Sequence, residues 1–443
     1  MKRKLIDTLI AWKNHEDRQP LLVYGARQVG KTYLVRDVFG AEHYETVCYV
    51  NFEYEHNRVA PLFDGDLDPK RIIADLEIAK NMSINPSKTL IIFDEIQLCE
   101  NALTSLKYFA EFAPEYHIVA TGSLFGVAVH RSGLTFPVGK VEVVHMFPMD
   151  FEEYLWAQGK ERLAKAIHIS FDANAPFPFH DDALRLYREY LLVGGMPKAV
   201  SRFLDSGSFD EARAVHRSLN DTYISDIARY IGDSNTARTL DLWQSVPYQL
   251  MKENKKFKFS DIDKTARSHQ YIDAFAWLSA AGLIHKCGLT TDGQPPFLSA
   301  GDEGIFKVYL FDTGMLSASL NIEPRAIMLE DEMTGSLVSS NARGALAENY
   351  VMQSLKANGI TPNYWRSKGS AEVDFLFQNT LMGAVPVEVK SGSNVRSKSL
   401  TVFQDKYDPA ISIRISAKNF GLENSIKSVP LYAAFCIEPS ISS

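Results

Sequence analysis

The chain has few cysteines and no long run of apolar residues. The spacing of the cysteines fits neither a zinc site nor the dense framework of a secreted disulfide-rich domain. No segment approaches the roughly 18 apolar residues that a membrane-spanning helix needs, and Asp7 and Lys13 come too early for a signal peptide. We therefore expect a cytoplasmic protein with no membrane partner. The four cysteines are Cys48, Cys99, Cys287 and Cys436.

The chain also lacks an excess of positive charge. It has 47 Lys and Arg against 54 Asp and Glu, a formal net charge of −7 and a pI of about 5.9. This excludes a protein that coats nucleic acid through a generally basic surface, so any contact with DNA has to come from local patches. Hydrophobic residues make up 46% of the 443 residues, and this length predicts three or four domains.

A glycine-rich segment near the start of the chain predicts a nucleotide site. Residues 20–24 are typical of a buried parallel strand, and a helix is predicted over 31–39. We predict that residues 25–32, which follow the strand and include the first two residues of the helix, bind ATP, because they match the phosphate-loop pattern G-x-x-x-x-G-K-[ST] at every position. They are Gly25, Ala26, Arg27, Gln28, Val29, Gly30, Lys31 and Thr32.

The residue types in this loop meet the physical demands of phosphate binding. Gly25 and Gly30 let backbone N–H groups close around phosphate oxygens without a Cβ in the way. The helix that follows adds the positive end of its dipole. Lys31 is predicted to reach the β- and γ-phosphates as a compact charge, and the Thr32 hydroxyl to ligate Mg²⁺.

Two acidic residues are predicted beside the same site. Residues 89–95 begin with an apolar run typical of a central parallel strand, and Asp94 and Glu95 fall where that strand leaves the sheet. We assign Asp94 to the Mg²⁺ shell and Glu95 to the activation of water.

Hydroxyl residues follow the next predicted strand, 117–120. Thr121 and Ser123 are both candidate sensors of the γ-phosphate, and Ser123 is the one we assign to catalysis. The alternative is an ordinary turn after a strand, and the sequence does not decide which hydroxyl acts.

A second set of charged residues lies in the C-terminal part of the chain. Asp374, Glu388 and Lys390 match D-x13-E-x-K within two predicted strands, and Glu348 lies on a predicted helix upstream. Acids at neighbouring strand ends can hold a divalent metal, so Asp374 and Glu388 are predicted metal ligands, with Glu348 as a third ligand from the helix. Lys390 lies two residues after Glu388, so its side chain projects from the same strand face. Asp374, Glu388 and Lys390 are thus candidate catalytic residues of a metal nuclease. The alternative is a relict or structural site.

The same loose pattern occurs a second time. Asp241 is followed by Glu253-Asn254-Lys255, but these residues lie in a polar, lysine-rich stretch with no strand periodicity. We therefore favour the acids at 374 and 388 and treat the segment around Lys255 as a chance match.

Taken together, these motifs resemble a known family. The chain is similar to AAA-superfamily ATPases of the AAA_14 type with a C-terminal DUF4143 region, whose distal part resembles a PD-(D/E)xK nuclease domain. The resemblance implies ATP binding, hydrolysis and nuclease-type chemistry. It is carried by residues 25–32, 91–95, 121–123, 194–197, 307–314, 364–366, 372–374 and 388–390.

One position departs from the family pattern. Where the family often has Gly-Arg-Val after the sensor strand, this chain has Gly139-Lys140-Val141. Lysine keeps the charge but lacks the planar fork that spans two phosphate oxygens. Arg131, or an arginine supplied in trans by a second copy of the chain, is the alternative finger, and Lys140 is otherwise a solvated surface residue.

The predicted fold class is α/β, with a P-loop NTPase parallel-sheet core, a helical lid, a winged-helix module and a C-terminal α/β restriction-endonuclease-like domain. We place the AAA-type ATPase domain at 1–150, the lid at 151–235, the winged-helix-like domain at 236–325 and the nuclease-like domain at 326–443.

Two functions from different classes follow. In the first, an ATPase that uses ATP and Mg²⁺ drives or gates a DNA-interacting domain with a second divalent metal. In the second, the chain is an ATP-operated switch that recognises DNA or a protein without cleavage.

Overall fold

A computed structural model of the chain describes residues 1–123, 139–231, 233–264, 266–297, 305–328, 338–393 and 398–440. These residues divide into two compact units. The first comprises Met1–Phe147 with Ala280–Gly282, and the second comprises Pro148–Ser279 with Leu283–Ser443.

The first unit is built around a five-stranded sheet in which every strand pair is parallel. Its order is β2-β3-β4-β1-β5. The two central strands β3 and β4 are buried along their whole length, as their continuous apolar sequences predict. This parallel core confirms the predicted P-loop NTPase sheet. The strands are β1 Leu21–Tyr24, β2 Thr46–Asn51, β3 Thr89–Asp94, β4 His117–Gly122 and β5 Glu142–His145.

Helices pack against this sheet. The helix predicted after the phosphate loop is present, and its central part, Tyr33–Gly40, has π-helical hydrogen bonding. Four phenylalanines, Phe52, Phe63, Phe93 and Phe109, meet at edge-to-face angles in the core beside β3. The other helices are Leu5–Asn14, Ala41–His43, His56–Val59, Pro69–Lys80 and Glu100–Phe112, with 3-10 turns at Ala60–Phe63 and Ile96–Leu98.

The second unit starts with a helical region. Its first helix begins at a capping box, in which the Asp150 carboxylate accepts the Glu153 N–H and the Glu153 carboxylate accepts the Asp150 N–H. No helix in the described part of the chain is long and apolar enough to cross a membrane. The helices are Phe151–Ala157, Glu161–Ala173, His180–Val193, Pro197–Ser206, Phe209–Tyr230, Asp233–Leu250, Ile272–Ala280, Thr313–Ser319, Pro324–Met328, Ser340–Ala357 and Lys398–Tyr407, and the 3-10 turns are Phe259–Asp261, Ser268–Gln270 and Leu431–Cys436.

A mixed eight-stranded sheet completes the second unit, and it is consistent with the predicted C-terminal α/β domain. Its order is β12-β13-β11-β10-β9-β8-β6-β7. The strands are β6 Ile284–Thr290, β7 Phe306–Leu310, β8 Asn363–Arg366, β9 Glu372–Asn379, β10 Gly383–Val389, β11 Ser412–Ser416, β12 Gly421–Glu423 and β13 Ile426–Pro430.

The antiparallel strands β6 and β7 lie within residues 236–325, the range predicted as the winged-helix-like domain. They join the C-terminal sheet because β6 pairs with β8 in parallel. The two elements therefore share one set of backbone hydrogen bonds. The winged helix and the four domain boundaries stay predictions.

Two motifs of the second unit meet around one buried carboxylate. Asp312 Oδ2 accepts the Gly195 N–H at 2.7 Å, and Oδ1 accepts the Met315 N–H at 2.9 Å. A Cβ at Gly195 would lie 2.0 Å from the Met149 carbonyl oxygen, so only glycine fits there. The segments at 194–197 and 307–314 thus have a structural reason to occur together.

Candidate functional site

The phosphate loop connects β1 to the helix that follows. Gly25, Gln28 and Gly30 all have positive φ angles, of 156°, 66° and 98°. A Cβ at Gly25 would stand 2.2 Å from the Met146 carbonyl oxygen. Glycine is therefore required at the first position of the loop by packing as well as by backbone conformation.

The loop is braced by two buried cations. Lys31 Nζ donates to the carbonyl oxygens of Gly25 and Ala26, both at 2.9 Å. Burial lowers the pKa of Lys31 to about 8, against the opposing effect of nearby Glu95 and Asp94. Arg3, which sequence reasoning missed, donates to the Val29 carbonyl at 2.7 Å. The Lys31 ammonium group therefore lies inside the loop that is predicted to hold phosphate.

The carboxylate of Asp94 lies at the carboxyl end of β3 and is 3% exposed. Thr32 Oγ1 donates to it at 3.1 Å, as expected for two residues predicted to share a metal ion. Thr121 donates to its Oδ1. Tyr49 OH and Asn51 Nδ2 donate to its Oδ2 at 2.6 Å and 3.1 Å. Asp94 is thus held by hydroxyl and amide donors from several elements.

Tyr49 and Asn51 were not found by sequence reasoning. They are two residues apart on β2, so both side chains lie on one face of that strand. Asn51 is the register partner of Asp94. The only signal in the sequence was two polar residues at alternate positions of an apolar strand, which points to a site only once the neighbouring strand is known.

Glu95 follows Asp94 in a left-handed backbone conformation, with φ of 53°. Its Oε2 accepts a hydrogen bond from Ser123 Oγ at 3.2 Å and another from Gln97. The two candidate sensors therefore differ in their partners, because Ser123 contacts Glu95 whereas Thr121 contacts Asp94. Strained backbone positions of this kind are common at functional sites.

Lys140 Nζ lies 3.4 Å from Glu111 Oε1 on the half-exposed surface, and Arg131 lies outside the described residues. Arg27, inside the loop, pairs with Glu53 at 3.2 Å.

The C-terminal residues Asp374 and Glu388 lie on the neighbouring antiparallel strands β9 and β10, next to the register pair Phe375 and Val387. Asp374 Oδ2 accepts the Val389 N–H at 2.9 Å. Lys390 Nζ lies 2.7 Å from Glu388 Oε1. Glu388 Oε2 is buried and has no hydrogen-bond partner among the described residues.

Three further side chains complete this set of charges. Glu348, on the helix Ser340–Ala357, accepts hydrogen bonds from Lys255 at Oε1 and from Tyr309 OH at Oε2. Lys307 Nζ lies 3.7 Å from Asp374 Oδ1 and 2.8 Å from Glu372 Oε1. We call Lys255, Lys307, Glu348, Asp374, Glu388 and Lys390 the C-terminal cluster.

Burial and mutual charge set the protonation of the cluster. Burial raises the pKa of Asp374 to about 8, and Glu348 and Glu388 add to this rise. Burial alone would lower the pKa of Lys307, but the surrounding carboxylates raise it above its ordinary value. Burial would raise the pKa of Glu348, yet Lys255 and Lys307 bring it below its ordinary value. The lysines therefore act as counterions of the carboxylates.

These contacts correct two expectations from the sequence. No group of three or more His, Cys, Asp or Glu in the described ranges is arranged to hold a metal ion, so the predicted triad of Glu348, Asp374 and Glu388 is not assembled as a metal site. The reason is that both Glu348 oxygens already have partners. Lys255, set aside as part of a chance match, supplies one of them. Lys307 was noted only within the family segment 307–314 and was not predicted to belong to this site.

Comparisons with known proteins support the ATPase core. A family model described as an AAA domain matches residues 17–155. Two models for domains of unknown function, DUF8612 and DUF4143, match residues 184–326 and 343–434. DUF4143 was predicted and DUF8612 was not. No curated protein matches the chain.

Solved structures with some likeness are distant. The Walker-type ATPase of Pyrococcus abyssi is 14% identical, covers 72% of this chain and 95% of its own, and has a TM-score of 0.44. The Aeropyrum pernix ORC1 protein in complex with DNA is 13% identical, covers 74% and 93%, and has a TM-score of 0.29. At these scores the likeness carries no argument. Its parallel sheet, its phosphate loop and the AAA match show that the first part of the chain has an AAA-type P-loop fold, and the last part matches the DUF4143 model.

Proposed function

We propose that the first unit binds ATP with Mg²⁺ and hydrolyses it to ADP and phosphate. The observation that carries the proposal is the meeting of Lys31, Thr32, Asp94, Glu95 and Ser123 at the carboxyl end of a parallel sheet. Phosphoryl transfer needs positive charge at the phosphate oxygens and a positioned water, and these side chains offer both.

Lys31 supplies the charge. Its ammonium group now donates to two neutral carbonyl oxygens of its own loop. When the ammonium group turns toward phosphate oxygens, its acceptors become negatively charged, so a Coulombic attraction is added to the hydrogen bonds.

Thr32 and Asp94 are the residues that would hold Mg²⁺, and their hard oxygen donors fit its preference. When bound, Mg²⁺ neutralises charge on the β- and γ-phosphate oxygens. Glu95 is positioned by Ser123 and Gln97 to take a proton from the attacking water. With lysine at 140, we expect slow turnover unless a second copy of the chain supplies an arginine in trans.

Nucleotide-dependent thermal stabilisation tests ATP binding. A ligand at a hundredfold excess over its Kd stabilises the folded state by about 2.7 kcal/mol, so MgATP is expected to raise the melting temperature of the wild type. Lys31→Ala is expected to abolish this rise, whereas Lys88→Ala, on the surface of the same unit, should keep it. Equal stabilisation of wild type and Lys31→Ala would contradict the proposal.

For the second unit we propose a nuclease-like site whose action on DNA depends on the nucleotide state of the first unit. Asp374 and Glu388 on neighbouring strands, with Lys390 beside Glu388, support it. Asp374 and Glu388 would hold a divalent metal, and Lys390 would orient water toward a phosphodiester.

One observation favours the second candidate function, a binding switch without cleavage. The third acid, Glu348, accepts hydrogen bonds from Lys255 and Tyr309 and is therefore not free to bind a metal ion.

Cleavage assays on single-stranded, double-stranded and branched DNA and on RNA, with Mg²⁺ or Mn²⁺, distinguish the nuclease from the binding switch. Cleavage that disappears in Asp374→Ala but persists in Glu423→Ala, an exposed acid of the same sheet, supports the nuclease. Absence of cleavage on every substrate supports the switch.

A further inference from the structure

Arg27, at the third position of the phosphate loop, adds a second cation to the nucleotide site. Its side chain is 25% exposed, and its Nη2 lies 3.2 Å from Glu53 Oε1. The charge of Arg27 acts to lower the pKa of Lys31, so the two cations lie near each other. They differ in direction, because Lys31 donates back to the carbonyl oxygens of the loop whereas Arg27 reaches away to the end of β2.

The position of Glu53 shows where the Arg27 guanidinium lies. Glu53 comes two residues after Asn51, the last residue of β2. Asn51 Oδ1 accepts the Glu53 N–H at 2.8 Å, and Asn51 Nδ2 donates to Asp94 Oδ2 at 3.1 Å. The guanidinium therefore extends from the loop toward the side of the site where Asp94 would hold Mg²⁺. Because Mg²⁺ bridges the β- and γ-phosphates, the γ-phosphate of bound ATP lies on this side.

The contact between Arg27 and Glu53 is weak enough to be exchanged. Glu53 is 44% exposed, and an ion pair at such an exposed position changes an equilibrium constant by about fivefold at most. A γ-phosphate carries more negative charge than a carboxylate, and its oxygens match the planar fork of a guanidinium group. Arg27 therefore gains a stronger partner when ATP is bound.

We propose that Arg27 leaves Glu53 when ATP binds and donates to the γ-phosphate oxygens in its own chain, where it stabilises the transition state of hydrolysis. In that step Glu95 takes a proton from water, the water oxygen bonds to the γ-phosphorus, and the bond to the β–γ bridging oxygen breaks with its electron pair staying on ADP. Arg27 exchanges no proton and stabilises the charge on the transferred group. The inference rests on the proposed ATP hydrolysis and supplies, in cis, the arginine that is missing at Lys140.

Nucleotide affinity tests the contact with the γ-phosphate. Calorimetry on the full chain compares MgADP with the Mg²⁺ complex of a non-hydrolysable ATP that has an imido bridge. Arg27→Gln should weaken the ATP analogue at least about tenfold, because a hydrogen-bonded charge pair is lost, and should leave the affinity for ADP unchanged. Glu53→Gln should tighten the analogue by up to about fivefold, and this gain should disappear when Arg27→Gln is added.

Phosphate release tests the role in hydrolysis. Arg27→Gln should lower kcat about a thousandfold, the lower end of the effect of an arginine on phosphoryl transfer. Arg27→Lys keeps the charge without the fork and should fall between Arg27→Gln and the wild type. Arg71→Gln is the matched control, since Arg71 is a partly exposed arginine of the same unit that pairs with Asp66 and Asp75, and it should follow the wild type.

Mixing the inactive variants distinguishes an arginine in cis from one in trans. Arg27→Gln keeps Glu95, and Glu95→Gln keeps Arg27, so a mixture regains phosphate release only if one copy of the chain supplies Arg27 to another. We expect no recovery, and recovery would overturn the assignment in cis.

The remaining outcomes separate Arg27 from the proposed function. Equal phosphate release by wild type and Arg27→Gln refutes the role of Arg27 and leaves ATP hydrolysis standing. Loss of ADP binding together with ATP binding in Arg27→Gln refutes it as well, because Arg27 would then support the loop rather than contact the γ-phosphate. A wild type that binds neither nucleotide refutes both. If Arg27→Gln melts early, Arg27→Lys and Glu53→Gln provide the same comparison.

Discussion

Removing the hydroxyl of Tyr49 tests whether β2 positions the carboxylate that we assign to Mg²⁺. Tyr49 OH donates to Asp94 Oδ2 at 2.6 Å, and Asn51 donates to the same oxygen at 3.1 Å. Burial raises the pKa of Tyr49, and the bond to Asp94 adds to this, so the hydroxyl stays protonated in any ordinary assay buffer. Tyr49→Phe therefore deletes one side-chain donor and leaves the other three side-chain donors in place.

The size of the effect follows from the charge and burial of Asp94. A hydrogen bond to a charged group contributes about 1.5–3 kcal/mol, and the remaining donors on Asp94 place the expected loss at the lower end. A loss of about 1.4 kcal/mol corresponds to a tenfold change in an equilibrium constant. We expect the Mg²⁺ concentration for half-maximal ATP hydrolysis to rise about tenfold, while kcat at saturating Mg²⁺ changes little.

The assay is the rate of phosphate release at saturating ATP over a Mg²⁺ titration. Tyr108→Phe, a partly buried tyrosine stacked on Phe112 in the same unit, is the control and should follow the wild type. A fall in kcat with an unchanged Mg²⁺ requirement would refute the reasoning, because it would mean that Tyr49 supports the fold rather than Asp94.

Three other substitutions probe the site and the second unit. Ser123→Ala should lower kcat about tenfold with little change in the KM for ATP in steady-state assays, because Ser123 touches Glu95; a change in KM alone would contradict this. Gly195→Ala should lower the free energy of unfolding by about 2 kcal/mol or more in urea titrations, because the added Cβ would clash with the Met149 backbone. Gly392→Ala is the control and should leave the free energy of unfolding nearly unchanged, because a Cβ at Gly392 has no atom within 4 Å. Burial lowers the pKa of His216 to about 4 from 6.5. As the pH falls, the unfolded chain therefore protonates this imidazole before the folded chain does, and the free energy of unfolding falls by about 3 kcal/mol between pH 6.5 and pH 4. His216→Gln should remove that part of the pH dependence, and an unchanged profile would exclude His216 as its source.

The candidate nucleotide site could be proposed from the sequence because its signals are local. Gly25 to Thr32 is a continuous segment, and Asp94 and Glu95 end an apolar run typical of one buried strand. The donors from β2 could not be predicted, because they reach Asp94 only through the pairing of β2 with β3. Strand order is a tertiary property, and alternate polar residues on a strand do not reveal it.

The C-terminal cluster was predicted only in part, because some of its residues meet only through the tertiary fold. Pattern and periodicity identified Asp374, Glu388 and Lys390, and the pairing of β9 with β10 brings the two acids together. The same criteria set Lys255 aside because its segment has no strand period. Its ammonium group nevertheless reaches Glu348, 93 residues further along the chain. Counterions of buried acids come from wherever the fold brings a lysine, so sequence spacing does not identify them.

The central claim is that the first unit hydrolyses ATP with Glu95 as the group that activates water. The most direct measurement compares phosphate release by the wild type and by Glu95→Gln, with MgATP binding to both followed by thermal shift. Glutamine keeps the size of the side chain and removes its basicity, so the account predicts retained MgATP stabilisation and phosphate release reduced at least about a hundredfold. Undiminished phosphate release by Glu95→Gln would contradict it.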